Sequence, residues 1–77
     1  MANEGLTQAI EKAGGQAALA RVLARQTGRP IRQGHVWAWI NRSGRVPPEL
    51  VLPIESATGV SRHALRPDLY PREVRAN

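Results

Sequence analysis

Apolar residues recur along this chain at helical spacing, and the pattern predicts five short helices with no strand. Leu6, Ala9, Ile10 and Ala13 lie three or four positions apart, the interval that stacks side chains on one helix face. Asn3 is placed to cap that first helix, and Gly14-Gly15 ends it. The second helix covers about 16–25, a stretch rich in the strong helix formers alanine and leucine. Its apolar positions are Leu19, Ala20, Val22 and Leu23. Residues 26–30, QTGRP, break the helix through Gly28 and Pro30. A third helix is predicted over about 32–41, with Val36, Trp39 and Ile40 on one side. Ser43-Gly44-Arg45 reads as a turn. Pro47-Pro48 opens a fourth helix, about 48–57, with Leu50, Val51, Ile54 and Ala57 inward. Pro53 falls inside it and is expected to remove one hydrogen bond and bend it. Gly59 closes that helix, and Ser61 caps a last one that runs to about 65, where Pro67 stops it.

Seventy-seven residues make a single domain, 1–77, expected to be ordered over about 6–70 with a flexible tail at 71–77. A chain of this size buries only roughly 60–65% of its unfolded surface, so the core is small. There is no cysteine, which suits an intracellular protein and removes disulfides and thiolate metal sites. The start, MANEGLTQAIEKAGG, lacks a basic stretch followed by an apolar run, so no signal peptide is expected. No segment approaches the roughly 18–20 apolar residues of a membrane span. The expected location is the bacterial cytoplasm, at the nucleoid.

Charge changes the picture more than composition does. The net charge is +5, and ten of the eleven basic residues are arginine. Between Glu11 and Glu49 there is no acid, yet that interval holds Lys12, Arg21, Arg25, Arg29, Arg32, Arg42 and Arg45. Such segregation suits a polyanion, whose condensed counterions are released as phosphates are neutralised. A solvated basic face without a partner is the bland alternative. An acidic membrane surface fits less well, because the segment is poor in lysine and has no continuous apolar face.

Residues 16–40 add a more specific pattern. Two helices that cross closely need a small residue midway along the first, and Ala20 fills that place. They also need an apolar residue midway along the second, with a bulky one three positions later, and Val36 and Trp39 fit. If Val36, Trp39 and Ile40 face inward, helical geometry turns Gln33, Gly34, Trp37, Ala38 and Asn41 outward. That short polar face has no acid and is flanked by Arg32 and Arg42. Its chemistry suits base edges in a groove about 12 Å wide.

The segments KAGGQAALARVLA, RQGHVWAWINRSGRVPPE and PIESATGVSRHALRPDLYP together resemble the Cro/YdaS-like family of bacterial and prophage regulators, over about 6–71. The most specific parts are HVWAWINR-x-GRVP and SRHALRPDLYP. The resemblance implies an all-α, lambda-repressor-like helix-turn-helix bundle that binds double-stranded operator DNA, as a homodimer formed on the DNA or before it. The chain departs from the most familiar form of that motif in its turn. There ARQTGRPIRQ carries several extra residues in place of a tight glycine-centred turn.

Matching the motifs assigns base reading to Arg32, Gln33, Gly34, Trp37, Ala38 and Asn41. Gln33 leads, as a bidentate partner for adenine. Gly34 allows close backbone approach, Ala38 or Trp37 meets a thymine methyl, and Arg32 reaches a guanine or a phosphate. Gln16, Arg21, His35, Arg42 and Arg45 are the phosphate candidates, with Gln16 helped by a helix N-terminus. Trp39 is read as core. Trp37 has three readings: stacking on another subunit, packing under the loop, or meeting DNA. Arg62 and Arg66 are expected to support the C-terminal fold, with Leu69 and Tyr70 anchoring a closing strap.

No cofactor or metal is expected, because His35 and His63 are the only histidines and no clustered carboxylate accompanies them. Neither a nucleophile–base pair at recognisable spacing nor a glycine-rich phosphate loop is present, so an enzyme with a small-molecule substrate is not expected. Two other classes stay open. One is a toxin- or antitoxin-type protein-interaction module using the same basic face. The other is non-specific binding of nucleic acid, RNA included, although two Trp and one Tyr are few for stacking bases.

Overall fold

The helices follow in the predicted order, and their ends are set by side chains the periodicity does not show. The structure, a computed structural model, describes residues 4–71. Helix α1 covers Glu4–Ala13, α2 covers Gln16–Thr27 and α3 covers Gln33–Ala38. The last runs directly into one π-helical turn, Trp39–Ser43. A 3-10 turn, Pro48–Leu50, leads into α4 at Val51–Thr58, and α5 is Arg62–Leu65. The bundle is all-α, with no strand among the described residues.

Leu6 and Ala9 of α1, Leu19, Ala20 and Leu23 of α2, and Val36 and Trp39 from the α3 segment meet Val46, Leu50, Val51, Ile54, Val60 and Leu65 in one buried cluster. Ala20 is buried, as a close crossing of α2 and α3 requires, and these two helices share the most extensive contact in the molecule. Helix α1 lies against α2, α4 and α5. Where α1 meets α5, Gly5 is buried, and a Cβ there would overlap the Ala64 carbonyl.

Helix α2 runs to Thr27, past the predicted end near 25. The Thr27 hydroxyl donates to the Leu23 carbonyl at 2.8 Å and accepts the Arg29 N–H at 3.2 Å. Gly28 then takes a left-handed φ of 73° and returns its N–H to Ala24. The same device ends α4. Thr58 donates to the Ile54 carbonyl at 2.8 Å and accepts the Val60 N–H at 3.2 Å, beside Gly59. Ser61 caps α5 as predicted, its Oγ accepting the Ala64 N–H at 3.2 Å.

Three expectations are corrected. Pro53 does not interrupt a running helix: the 3-10 turn delays α4 until Val51, so Pro53 sits in the first turn, where no N–H is needed. Ala57 faces solvent rather than the core, because α4 buries only its Val51–Ile54 side. Leu69 is also exposed, and only Tyr70 of that pair packs on the core. Asn3 as a cap, and the flexible tail from 72 onward, lie outside the described residues.

Candidate nucleic-acid interface

The five residues between α2 and α3, 28–32, hold α3 in place. Ile31 tucks against the core cluster. Arg29 forms an exposed ion pair with Glu49 at 3.6 Å. Arg32 is the extended N-cap residue of α3, and its N–H donates to Nδ1 of His35 at 3.0 Å. That bond fixes the His35 tautomer: Nδ1 accepts, so the ring proton of the neutral imidazole sits on Nε2.

On the α3 segment, Val36 is fully buried and Trp39 is 8% exposed, while Ile40 is half-buried against the core. Gln33, Gly34, His35 and Asn41 are exposed, and Trp37 is 47% exposed. Ala38 is half-buried, at the edge of this face. The side-chain amide of Asn41 donates to the Trp37 carbonyl at 3.0 Å, so its nitrogen is engaged within the helix while its oxygen has no hydrogen bond among the described residues. Among the described residues, Arg21, Arg25, Arg32 and Arg42 make no ion pair and are all exposed. Gln16 opens α2 half-buried, and Gly15 before it supplies no side-chain cap.

The sequence-predicted residues therefore divide by element. Arg32, Gln33, Gly34, His35, Trp37, Ala38, Asn41 and Arg42 lie on the α3 segment and its π-helical turn, or at its start. Gln16 and Arg21 lie on α2. Arg45, named for phosphate binding, stands in the following loop beside Asp68 at 3.8 Å, with both side chains about half exposed. Arg25, another cation of the acid-free interval, stands four positions after Arg21, and both are on the exposed side of α2.

The remaining cations serve the fold. Arg66 is buried, donates to the Val46 carbonyl at 2.6 Å, and meets Asp68 through two nitrogens at 2.9 and 2.7 Å. The hydrogen-bonded Arg66 guanidinium holds the Asp68 carboxyl down at about 2, and Asp68 in turn raises Arg66. Glu55 accepts the Arg62 backbone N–H at 3.2 Å and its Nε at 3.0 Å, and the backbone bond is the leading cause of its lowered pKa. Arg62 also lies 5.7 Å from the Tyr70 ring centre, and His63 Nδ1 bonds the Tyr70 carbonyl at 2.8 Å. Arg62 and Arg66 thus support the C-terminal fold as expected.

The fold and the site define a small all-helical domain that displays one acid-free, arginine-flanked helix face. The chain belongs to the family described as bacterial toxin YdaS, whose family model matches residues 6–74. No curated protein and no solved structure matches the chain significantly. The family agrees with the YdaS-like part of the resemblance carried by the motifs, and its description names a toxin rather than a Cro-type regulator. Among the described residues, no helix is long and apolar enough to cross a membrane.

Proposed function

We propose that this protein is a sequence-specific double-stranded DNA-binding regulator, a Cro-like repressor that lays the helix at about 32–42 in the major groove of an operator half-site. The observation that carries this reading is the exposed face of Gln33, Gly34, Trp37 and Asn41, with Arg32 and Arg42 at its ends and no ion pair on either among the described residues. Gln33 offers the donor and acceptor that match adenine. Arg32 meets a guanine or a phosphate, and the methyl of Ala38 lines the edge of the contact. Asn41 contributes through its free oxygen. Arg21, Arg42, Gln16 and the His35 Nε2–H bind phosphates, contacts that position without specifying. The uncapped start of α2 supports Gln16 in that role. Arg45 joins them by exchanging its long, exposed pair with Asp68 for a phosphate, since such pairs contribute little.

One such domain reads too few base pairs for a unique genomic site, so the protein acts as a homodimer, formed on DNA or before it. The reading assigns no catalytic step, cofactor, small-molecule substrate or membrane contact, and it places the protein in the bacterial cytoplasm. Selection of bound sites from random duplex DNA tests it. The expected product is two half-sites at fixed spacing; a pool that enriches no sequence overturns the proposal.

The family description favours a second reading, a toxin- or antitoxin-type interaction module using the same basic face. Inducible expression in a bacterial host separates the two. Growth arrest that persists in Gln33→Ala supports the module, whereas a phenotype lost with site-specific DNA binding supports the regulator.

A further inference from the structure

Of the two tryptophans, Trp39 is 8% exposed and belongs to the core, whereas Trp37 leaves 47% of its surface in solvent. A half-exposed indole in the middle of a polar, cationic face forgoes the largest apolar burial any side chain offers. Its neighbours along the helix leave it open on both sides. One turn earlier stands Gly34, where nothing comes within 4 Å of the position a Cβ would occupy, the Trp37 ring included. One turn later, Asn41 folds its amide back onto the Trp37 carbonyl instead of leaning on the ring. The result is an exposed indole on a stretch of helix that carries no side chain at Gly34.

Charge decides what meets this surface. Arg32 precedes and Arg42 follows this stretch in the chain; both are exposed, and neither has an ion pair among the described residues. Two copies of this face would bring four uncompensated guanidinium groups together, which disfavours self-association there. The occupant must combine negative charge with a small apolar projection. In the major groove of duplex DNA, phosphates flank base edges, and the 5-methyl of thymine is the apolar feature that projects from them.

We infer that Trp37 and Gly34 form a specificity pocket for the 5-methyl group of one thymine in each half-site. This rests on the DNA-binding reading and deepens it. The methyl slots against the indole while Gly34 keeps the opposite wall free of side chain, and Gln33 reads a neighbouring base.

The test takes the duplex selected from random DNA and replaces each thymine in turn by deoxyuridine, which deletes the methyl and leaves every hydrogen bond. For the wild type, one position per half-site should weaken binding about fourfold, the effect of one methyl-sized group removed from apolar contact. In Trp37→Ala, and in Gly34→Ala where the new methyl takes the space proposed for the thymine methyl, the same replacement should have no effect. Binding should also shift the emission of Trp37, with Trp37→Phe leaving the buried Trp39 as control. Site-specific binding that ignores every uracil replacement overturns the pocket and leaves the regulator reading standing. A uracil effect that persists undiminished in Trp37→Ala overturns it too. A pool that enriches no site overturns both.

Discussion

At the scale of single residues, the arginines separate by what they touch. Arg66 is buried and holds the Val46 carbonyl, so Arg66→Ala leaves a buried acceptor without a partner and should lower unfolding free energy by about 1–3 kcal/mol in a urea titration. Arg42 is exposed with no ion pair among the described residues, so Arg42→Ala should leave stability unchanged. On DNA it should weaken all sequences alike and reduce the salt slope by about one. Gln33→Ala should instead cost about 1–3 kcal/mol on the selected site and relax preference at one base pair. If both variants bind the site as the wild type does, the docking is wrong. Asp68 supplies a pH signature. Its carboxyl is depressed in the folded state to about 2 from an ordinary 3.8, so its stabilising effect is complete above 3.8 and is lost as pH falls through about 2. Acid titration of the unfolding midpoint should show that loss, and Asp68→Asn should remove most of it. Glu55, lowered in the same sense chiefly by the Arg62 backbone N–H, adds to it.

Among the helices, two glycines make opposite forecasts from the same chemistry. Alanine is the better helix former by about 0.8–1 kcal/mol. At Gly34 the added methyl meets open space, so Gly34→Ala should raise the thermal midpoint. At Gly5 it would collide with the backbone of α5, so Gly5→Ala should cost about 1–3 kcal/mol despite the gain in propensity. Paired thermal melts of the two variants check this directly; a stabilised Gly5→Ala would mean that α1 and α5 do not cross where described. The phase of α3 could be read in the sequence because Val36 and Trp39 stand three positions apart on the buried side, while Gly34, Trp37 and Asn41, spaced three and four apart, share the exposed one. Gly5 could not be singled out that way, since its neighbour at Ala64 is distant in the chain and leaves no periodic mark.

For the molecule as a whole, an acid-free interval becomes a surface. The proposed docking has each protomer contact several phosphates, and it therefore requires affinity to fall steeply and log-linearly with salt. Sedimentation with and without the selected duplex should show two protomers per site. A one-to-one complex on a palindromic site would rule out the homodimer. The long turn at 28–32 is where the chain departs most from the expected motif, and the structure gives its reason. Gly28 ends α2, Arg29 pairs with Glu49, and Ile31 is anchored on the core before Arg32 opens α3.

The sequence by itself determined the number and order of the helices, the face each buries along α1 to α3, the Ser61 cap, and the concentration of arginine without acid around α3. All of these follow from interactions within a turn or two of helix, where spacing alone dictates who meets whom. Only the tertiary structure decided that Arg29 and Arg45 each sit beside an acid from a later segment, that Arg66 is buried against Val46 twenty residues away, and that Ala57 and Leu69 face solvent. It also decided that the Asn41 amide turns inward to its own helix and that Trp37 stands open beside Gly34. Those outcomes depend on which elements lie across from one another, and a one-dimensional pattern of apolar and charged positions does not encode that distance.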